Sequence, residues 1–331
     1  MVHYRTFRNT DPPHLVEVWN QVFTERGAAL LAGTTMLEYH VFAKPYFDRE
    51  GLIFAFDDAR PVGFAHAGFG PNQEHKALST DTGVTCMVGV IPDYRRQGIG
   101  RELLQRSEAY LRGRGARDLF VGPAPQLNPF YLGLYGSSDS AGVLTNDPSA
   151  DPFLVRHGYR PVETFEVWQR RLDSAFAVND WRFPGHRRKY DIRIVPRTGA
   201  LSWWQECVQG PLEVVEFRLE EKLTGKTIAF ASAWDMESFS QRWREAAVGI
   251  MRIEVQEDSR RQGLAKFLVD LLLRHLQDQC FLRAEVVLSP NDTLATSLFQ
   301  SLGFQQVDVG HSYRRQSLSQ IGTLTSSPTS A

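Results

Sequence analysis

Cysteine is scarce: Cys86, Cys207 and Cys280 are the only three in 331 residues, and they stand far apart. An odd, dispersed set excludes a disulfide-stapled scaffold and forms neither a metal-ligand nor a redox spacing, so no bound metal is expected. Such usage points to a reducing, cytoplasmic setting. Excess charge of either sign is also missing, with 37 Lys and Arg against 38 Asp and Glu. No overall field therefore draws the chain to nucleic acid or to an anionic membrane. Long apolar runs are absent too: the longest, Phe267 to Leu273, is broken by Asp270 and falls far short of the roughly 20 residues that span a bilayer. The opening MVHYRTFRNT alternates like a strand and lacks the apolar stretch of a secretory signal.

What is present is a repeat. Val90-Ile-Pro-Asp-Tyr-Arg-Arg-Gln-Gly-Ile-Gly-Arg-Glu-Leu-Leu104 returns 165 residues later as Val255-Gln-Glu-Asp-Ser-Arg-Arg-Gln-Gly-Leu-Ala-Lys-Phe-Leu-Val269. A chain of this length exceeds one ordinary core, and the offset supplies the size of each half. The expected domains are 1–173 and 191–315, joined by a basic, aromatic linker over 174–190 and followed by a Ser- and Thr-rich tail over 316–331 that lacks the apolar content to pack.

Periodicity places the repeat in context. In the first half a strand at Val2 to Phe7 precedes Thr10 or Asp11 as helix caps, with Pro in the first turn. A second helical stretch follows near Thr35 to Phe42. Leu52 to Phe56 and Val62 to Ala67 form a hairpin, and a strand over Gly83 to Val90 leads into the repeated loop and an amphipathic helix. Asp118 to Val121, a Pro- and Gly-rich region, a short helix near Phe153 and a strand near Phe165 complete it. The second half repeats this order from Ile192 to Val307, with one helix instead of two before its hairpin.

A strand entering a glycine-bearing turn and then a helix exposes unpaired N–H groups where the macrodipole is positive. Gly98 and Gly100 admit a phosphate close to the backbone and Arg95 and Arg96 add charge; Gly263, Ala265, Arg260 and Arg261 repeat the arrangement. A pyrophosphate is the ligand that fits. A P-loop would need a Lys-Ser/Thr pair and a dinucleotide fingerprint a third glycine, where Leu103 and Leu268 stand instead.

These residues resemble the acetyl-CoA pyrophosphate loop of the GNAT acetyltransferase superfamily. The resemblance covers nearly the whole chain and implies an α/β architecture of two tandem GNAT folds, each a mixed, mostly antiparallel sheet with two splayed strands, flanked by helices. It assigns acetyl-CoA contacts to Val88, Gly89, Val90, Arg95, Arg96, Gln97, Gly98, Ile99, Gly100 and Arg101. In the second half the same contacts fall on Ile253, Val255, Arg260, Arg261, Gln262, Gly263, Leu264 and Ala265. It further implies an N-acetyltransferase acting on a small-molecule or peptide amine, as a monomer or homodimer.

For the catalytic groups, the family's Tyr position matches Tyr135 in Asn128-Pro-Phe-Tyr-Leu-Gly-Leu-Tyr135, with Tyr131 next in line. The second half places Phe299 there, after Asp292. His66 is the first candidate base, and Glu74, His75 and Asp81 are others. Arg252 and Glu254 alternate onto one face of the second cofactor strand. The fuller loop and extra helix favour the first half for chemistry. The alternative reading is a non-catalytic acyl-CoA sensor or scaffold.

Overall fold

The computed structural model describes residues 1–173, 178–197 and 201–316; the tail expected from 316 lies, but for Gln316, outside them. The first half runs β1 (Val2–Thr6), α1 (Pro12–Val22), α2 (Thr35–Leu37, continued by a π turn over Glu38–Phe42), β2 (Leu52–Asp57) and β3 (Arg60–Pro71). It continues with β4 (Leu78–Val90), α3 (Ile99–Gly113), β5 (Asp118–Val121), the short β6 (Val143–Leu144), α4 (Ala150–Arg156) and β7 (Tyr159–Arg171). The second half runs α5 (Phe183–Lys189), β8 (Tyr190–Pro196), α6 (Trp203–Gln209), β9 (Val214–Glu221), β10 (Thr227–Asp235) and α7 (Glu237–Trp243). It ends with β11 (Ala247–Val255), α8 (Leu264–Asp278), β12 (Arg283–Leu288), α9 (Thr293–Ser301) and β13 (Gln305–Arg315). Helix α5 occupies much of the stretch read as linker, and α7 and β6 complete elements the sequence pattern did not show.

Local chemistry explains most boundaries. Pro12 and Pro13 open α1 as expected. Asp11 stands before that helix without capping it, because its carboxylate is taken by Arg5 at 2.6 and 2.8 Å and by the Arg8 N–H at 2.6 Å. Ser202 does cap α6, in a reciprocal capping box with Gln205. Helices α3 and α8 each bury one leucine-rich stripe, including Leu103, Leu104 and Leu111 in the former and Phe267, Leu268 and Leu272 in the latter.

One sheet runs through the whole molecule, in the order β1-β2-β3-β4-β5-β13-β7-β12-β11-β10-β9-β8. The last strand of each half has changed sides. β13 pairs with β5, and β7 pairs with β12, while the two exchanged strands pair with each other over most of their length. Neither half therefore closes its own sheet, and the hydrogen-bond ladders, not a linker, join them.

Candidate active site

Two parallel pairs interrupt the antiparallel sheet, β4 with β5 and β11 with β12. Each pair diverges. β4 bonds β5 from Thr82 to Thr85 but continues to Val90 beside β3 alone, and β11 bonds β12 from Ala247 to Ile250 but continues to Val255 beside β10 alone. The open edges are Met87 to Val90 and Met251 to Val255. Peptide N–H and C=O groups facing each gap are available to an extended ligand arm.

The loops beyond the two strands have the same backbone. A 3-10 turn, Pro92–Tyr94 or Glu257–Ser259, leads to Arg96 at φ +64° and Gly98 at φ +86°, matched by Arg261 at +62° and Gly263 at +79°. A left-handed conformation is strained for arginine, and its recurrence at the same step shows that the turn is required. Arg95 and Arg260 clip the loop to the strand end, each Nε donating to the carbonyl of Val90 or Val255, at 3.0 and 3.2 Å. Arg96 and Arg261 are left exposed. At the Gly100 position the backbone is helical and a Cβ would stand 3.4 Å from the Phe153 ring, an ordinary contact, which is why Ala265 serves in the second loop.

These residues fit the pyrophosphate of CoA: N–H groups of a helix start converge on a turn held open by glycine, with two arginines at its rim. The two cradles differ in what surrounds them. Gly98 is exposed, and its nearest neighbour is Arg101 Nη2, 4.0 Å from where a Cβ would stand. Gly263 is half-buried beneath the Arg182 guanidinium, whose atoms lie 2.5 to 2.9 Å from that point.

The acceptor sides of the two gaps differ more. Beside β4 the first half is filled with its own side chains: Trp19, Phe54, Phe64, Phe130 and Tyr131 are fully enclosed there, and Val22 and Phe23 close over Gly89. His66, on β3 opposite Met87, has no exposed surface. Its Nδ1 meets the Tyr131 hydroxyl at 2.8 Å, its ring stacks on Phe130, and burial pushes its pKa down to about 3. Tyr135 is half-buried against Phe23; its hydroxyl accepts the Leu144 N–H at 3.3 Å, and burial raises its pKa well above the ordinary range. Glu74 and His75 lie in the turn before β4, and Asp81 stands near its start, so even Asp81 is about 20 Å from Met87 at the usual strand rise.

In the second half, Phe299 is buried against Phe304 and offers no hydroxyl. Arg252 and Glu254 do face one side of β11: their side chains are 56% and 50% exposed, and Arg252 Nε donates to Glu254 at 2.8 Å. Glu216, Arg218, Phe230 and Ser232 flank them across β9 and β10, as the registers Ser232 with Glu216 and with Arg252, and Phe230 with Arg218 and with Glu254, require. The sequence reading passed over two residues. Glu285 sits with no exposure between the halves and accepts from Arg26 at 2.9 Å and the Ser138 N–H at 2.9 Å, with Ser137 and Gln169 also bonded. Its one sequence signal was a carboxylate inside the apolar run of β12. Arg182 had none.

Among the described residues no group of His, Cys, Asp and Glu could hold a metal ion, and no helix is long and apolar enough to cross a membrane. A strand, cradle and helix beside a parted parallel pair, built twice, define an acyltransferase fold. The family model for the acetyltransferase (GNAT) family matches residues 19–136 and 177–304, and the chain belongs to that family. It is therefore an acyltransferase enzyme. A mycothiol acetyltransferase of Geodermatophilus obscurus is 25% identical over 244 residues, covering 68% of this chain and 72% of that one. An amino-acid acetyltransferase of Ectopseudomonas mendocina is 32% identical over 97 residues, 29% of this chain, which spans only 19% of that relative's length. A tandem GNAT protein from the clavulanic acid biosynthesis pathway shares the fold over 95% of this chain and 98% of its own, at a TM-score of 0.63 and 14% identity.

Proposed function

We propose that the protein moves an acetyl group from acetyl-CoA to a primary amine of a small-molecule or peptide acceptor, and that transfer takes place at the second gap. The carrying observation is access: Arg252 and Glu254 stand half exposed beside β11, whereas at the matching positions of β4 Met87 is buried and Gly89 is covered by the Val22 and Phe23 side chains. This departs from the expectation that the first half performs the chemistry, because His66 has no route to solvent and is held neutral by burial. Acetyl-CoA supplies the activated thioester. Amide formation joins the acceptor nitrogen to the acetyl carbon as the carbon–sulfur bond breaks, and the proton lost by nitrogen ends on sulfur. An incoming ammonium gives up two protons: in this reading Glu254, its carboxylate held by Arg252, takes the first and passes it to solvent, which frees the nucleophile, and the second, lost after attack, is the one that ends on sulfur. The three cysteines are unpaired, which supports the cytoplasmic setting we propose.

Separate substitutions of the cradles test the assignment. Gly263→Asp should abolish CoA release with a responsive amine, and Gly98→Asp should leave most of it. The reverse result returns the chemistry to the first half, and CoA binding without turnover across a broad amine panel makes the protein a sensor.

A further inference from the structure

We propose that Arg182, carried by the segment that joins the two halves, is a ligand of the cofactor pyrophosphate at the second cradle, so that the two repeated loops are unequal binding sites. This rests on the reading of that loop as a CoA site. Arg182 lies outside both repeats, and among the described residues no guanidinium covers Gly98 as Arg182 covers Gly263. Its guanidinium lies flat over Gly263, the residue whose left-handed backbone forms the cradle.

Three contacts fix it there. Asp180, nearly buried, grips one edge of the guanidinium, accepting from Nε at 2.8 Å and Nη2 at 2.6 Å. Its oxygen also takes the Arg182 N–H at 3.1 Å, which sets the start of α5. One turn on, His186 Nε2 meets the carbonyl oxygen of Gln262 at 3.0 Å, so the helix is bonded to the loop itself. Phe183 anchors it from below against Phe267 of α8, with ring centres 5.1 Å apart.

The grip leaves Nη1 without a protein acceptor among the described residues. A guanidinium with one edge held by a carboxylate and the other free is oriented in advance, and two parallel N–H groups suit a phosphate oxygen pair. Asp180 is held well below the usual carboxylate range, to about 2, first by Arg182 and also by Lys266 nearby. Arg182 therefore adds a further cation to Arg260, Arg261 and Lys266, which stand where Arg95, Arg96 and Arg101 stand in the first loop. The Arg182 side chain is one-third exposed, so it is open to solvent in part.

Calorimetry on the full chain tests this. In a Gly98→Asp background, which disables the first cradle, CoA titration reads the second alone, and inorganic pyrophosphate serves as competitor. Adding Arg182→Gln should weaken CoA about tenfold and remove pyrophosphate competition, while the melting temperature stays within a few degrees. Arg182→Lys should restore part of the affinity. Unchanged affinity in Arg182→Gln overturns the proposal. Tighter binding overturns it as well, because Arg182 would then be a plug over the cradle. If the Gly98→Asp chain binds no CoA at all, the reading of the second loop as a CoA site fails, whatever Arg182 does.

Discussion

Arg26 of the first half donates to Glu285 of the second at 2.9 Å, and the receiving carboxylate has no exposed surface. Removing one partner of a buried pair strands the other charge, at a cost of about 3–5 kcal/mol. Arg26→Met should therefore lower the urea midpoint sharply, while Glu285→Gln, which keeps a hydrogen-bonding oxygen, should cost less. Equal and small losses in both variants would show that Ser137, Ser138 and Gln169 suffice to hold Glu285.

Strand exchange makes the halves one cooperative unit. β13 of the second half fills the place beside β5, so a fragment of residues 1–173 lacks its neighbour there and presents an unpaired edge. Each half expressed alone should show no cooperative melt, and the two together should recover one. A soluble, cooperatively melting fragment 1–173 would show that β7 can fold back onto β5.

The glycines of the cradles should respond unequally. Gly100→Ala should be tolerated, because Ala265 already occupies the matching place, whereas Gly98→Ala forces a side chain into φ +86° at about 1–2 kcal/mol and should weaken CoA at the first loop. Gly263→Ala meets both a φ of +79° and the Arg182 guanidinium at 2.5 Å, so it should cost more than Gly98→Ala in thermal melts.

Buried histidines should make the protein acid-sensitive. His66 and His40 are pushed down to about 3 and about 4, each first by burial, whereas an unfolded chain protonates them near 6.5. The unfolded state then binds more protons below pH 6.5, so stability is present above that value and falls as pH drops toward 4. Each histidine contributes about 1.4 kcal/mol per pH unit in that window. His66→Phe should flatten the dependence of the urea midpoint between pH 6.5 and 5; an unaltered slope would mean that His66 is already charged in the folded protein.

Tyr135 and Glu254 separate the two assignments of chemistry. Tyr135→Phe loses one contact to the Leu144 N–H and should keep nearly all CoA release. Glu254→Gln should reduce kcat by about 10²-fold or more, the usual weight of a general base, with CoA affinity unchanged. The opposite ranking would place the proton transfer in the first half.

The repeat, the two cradles and the element order were legible because each depends on neighbours within about fifteen residues. A strand end, a glycine free to take positive φ and a helix start together make an anion site, whatever surrounds them. Arg96 and Arg261, Gly98 and Gly263 accordingly take the same backbone in both halves. What tertiary structure decided was access and partnership. His66 reads as a strand histidine and becomes a neutral core residue, because Phe130 and Tyr131 reach it from 64 and 65 positions away. Arg182 looks like part of a basic linker and lies over a glycine 81 residues later, and β7 and β13 alternate like any terminal strands yet each completes the other half's sheet. Local pattern sets conformation; burial, charge pairing and the choice of strand neighbour are settled only when distant segments compete for the same surface.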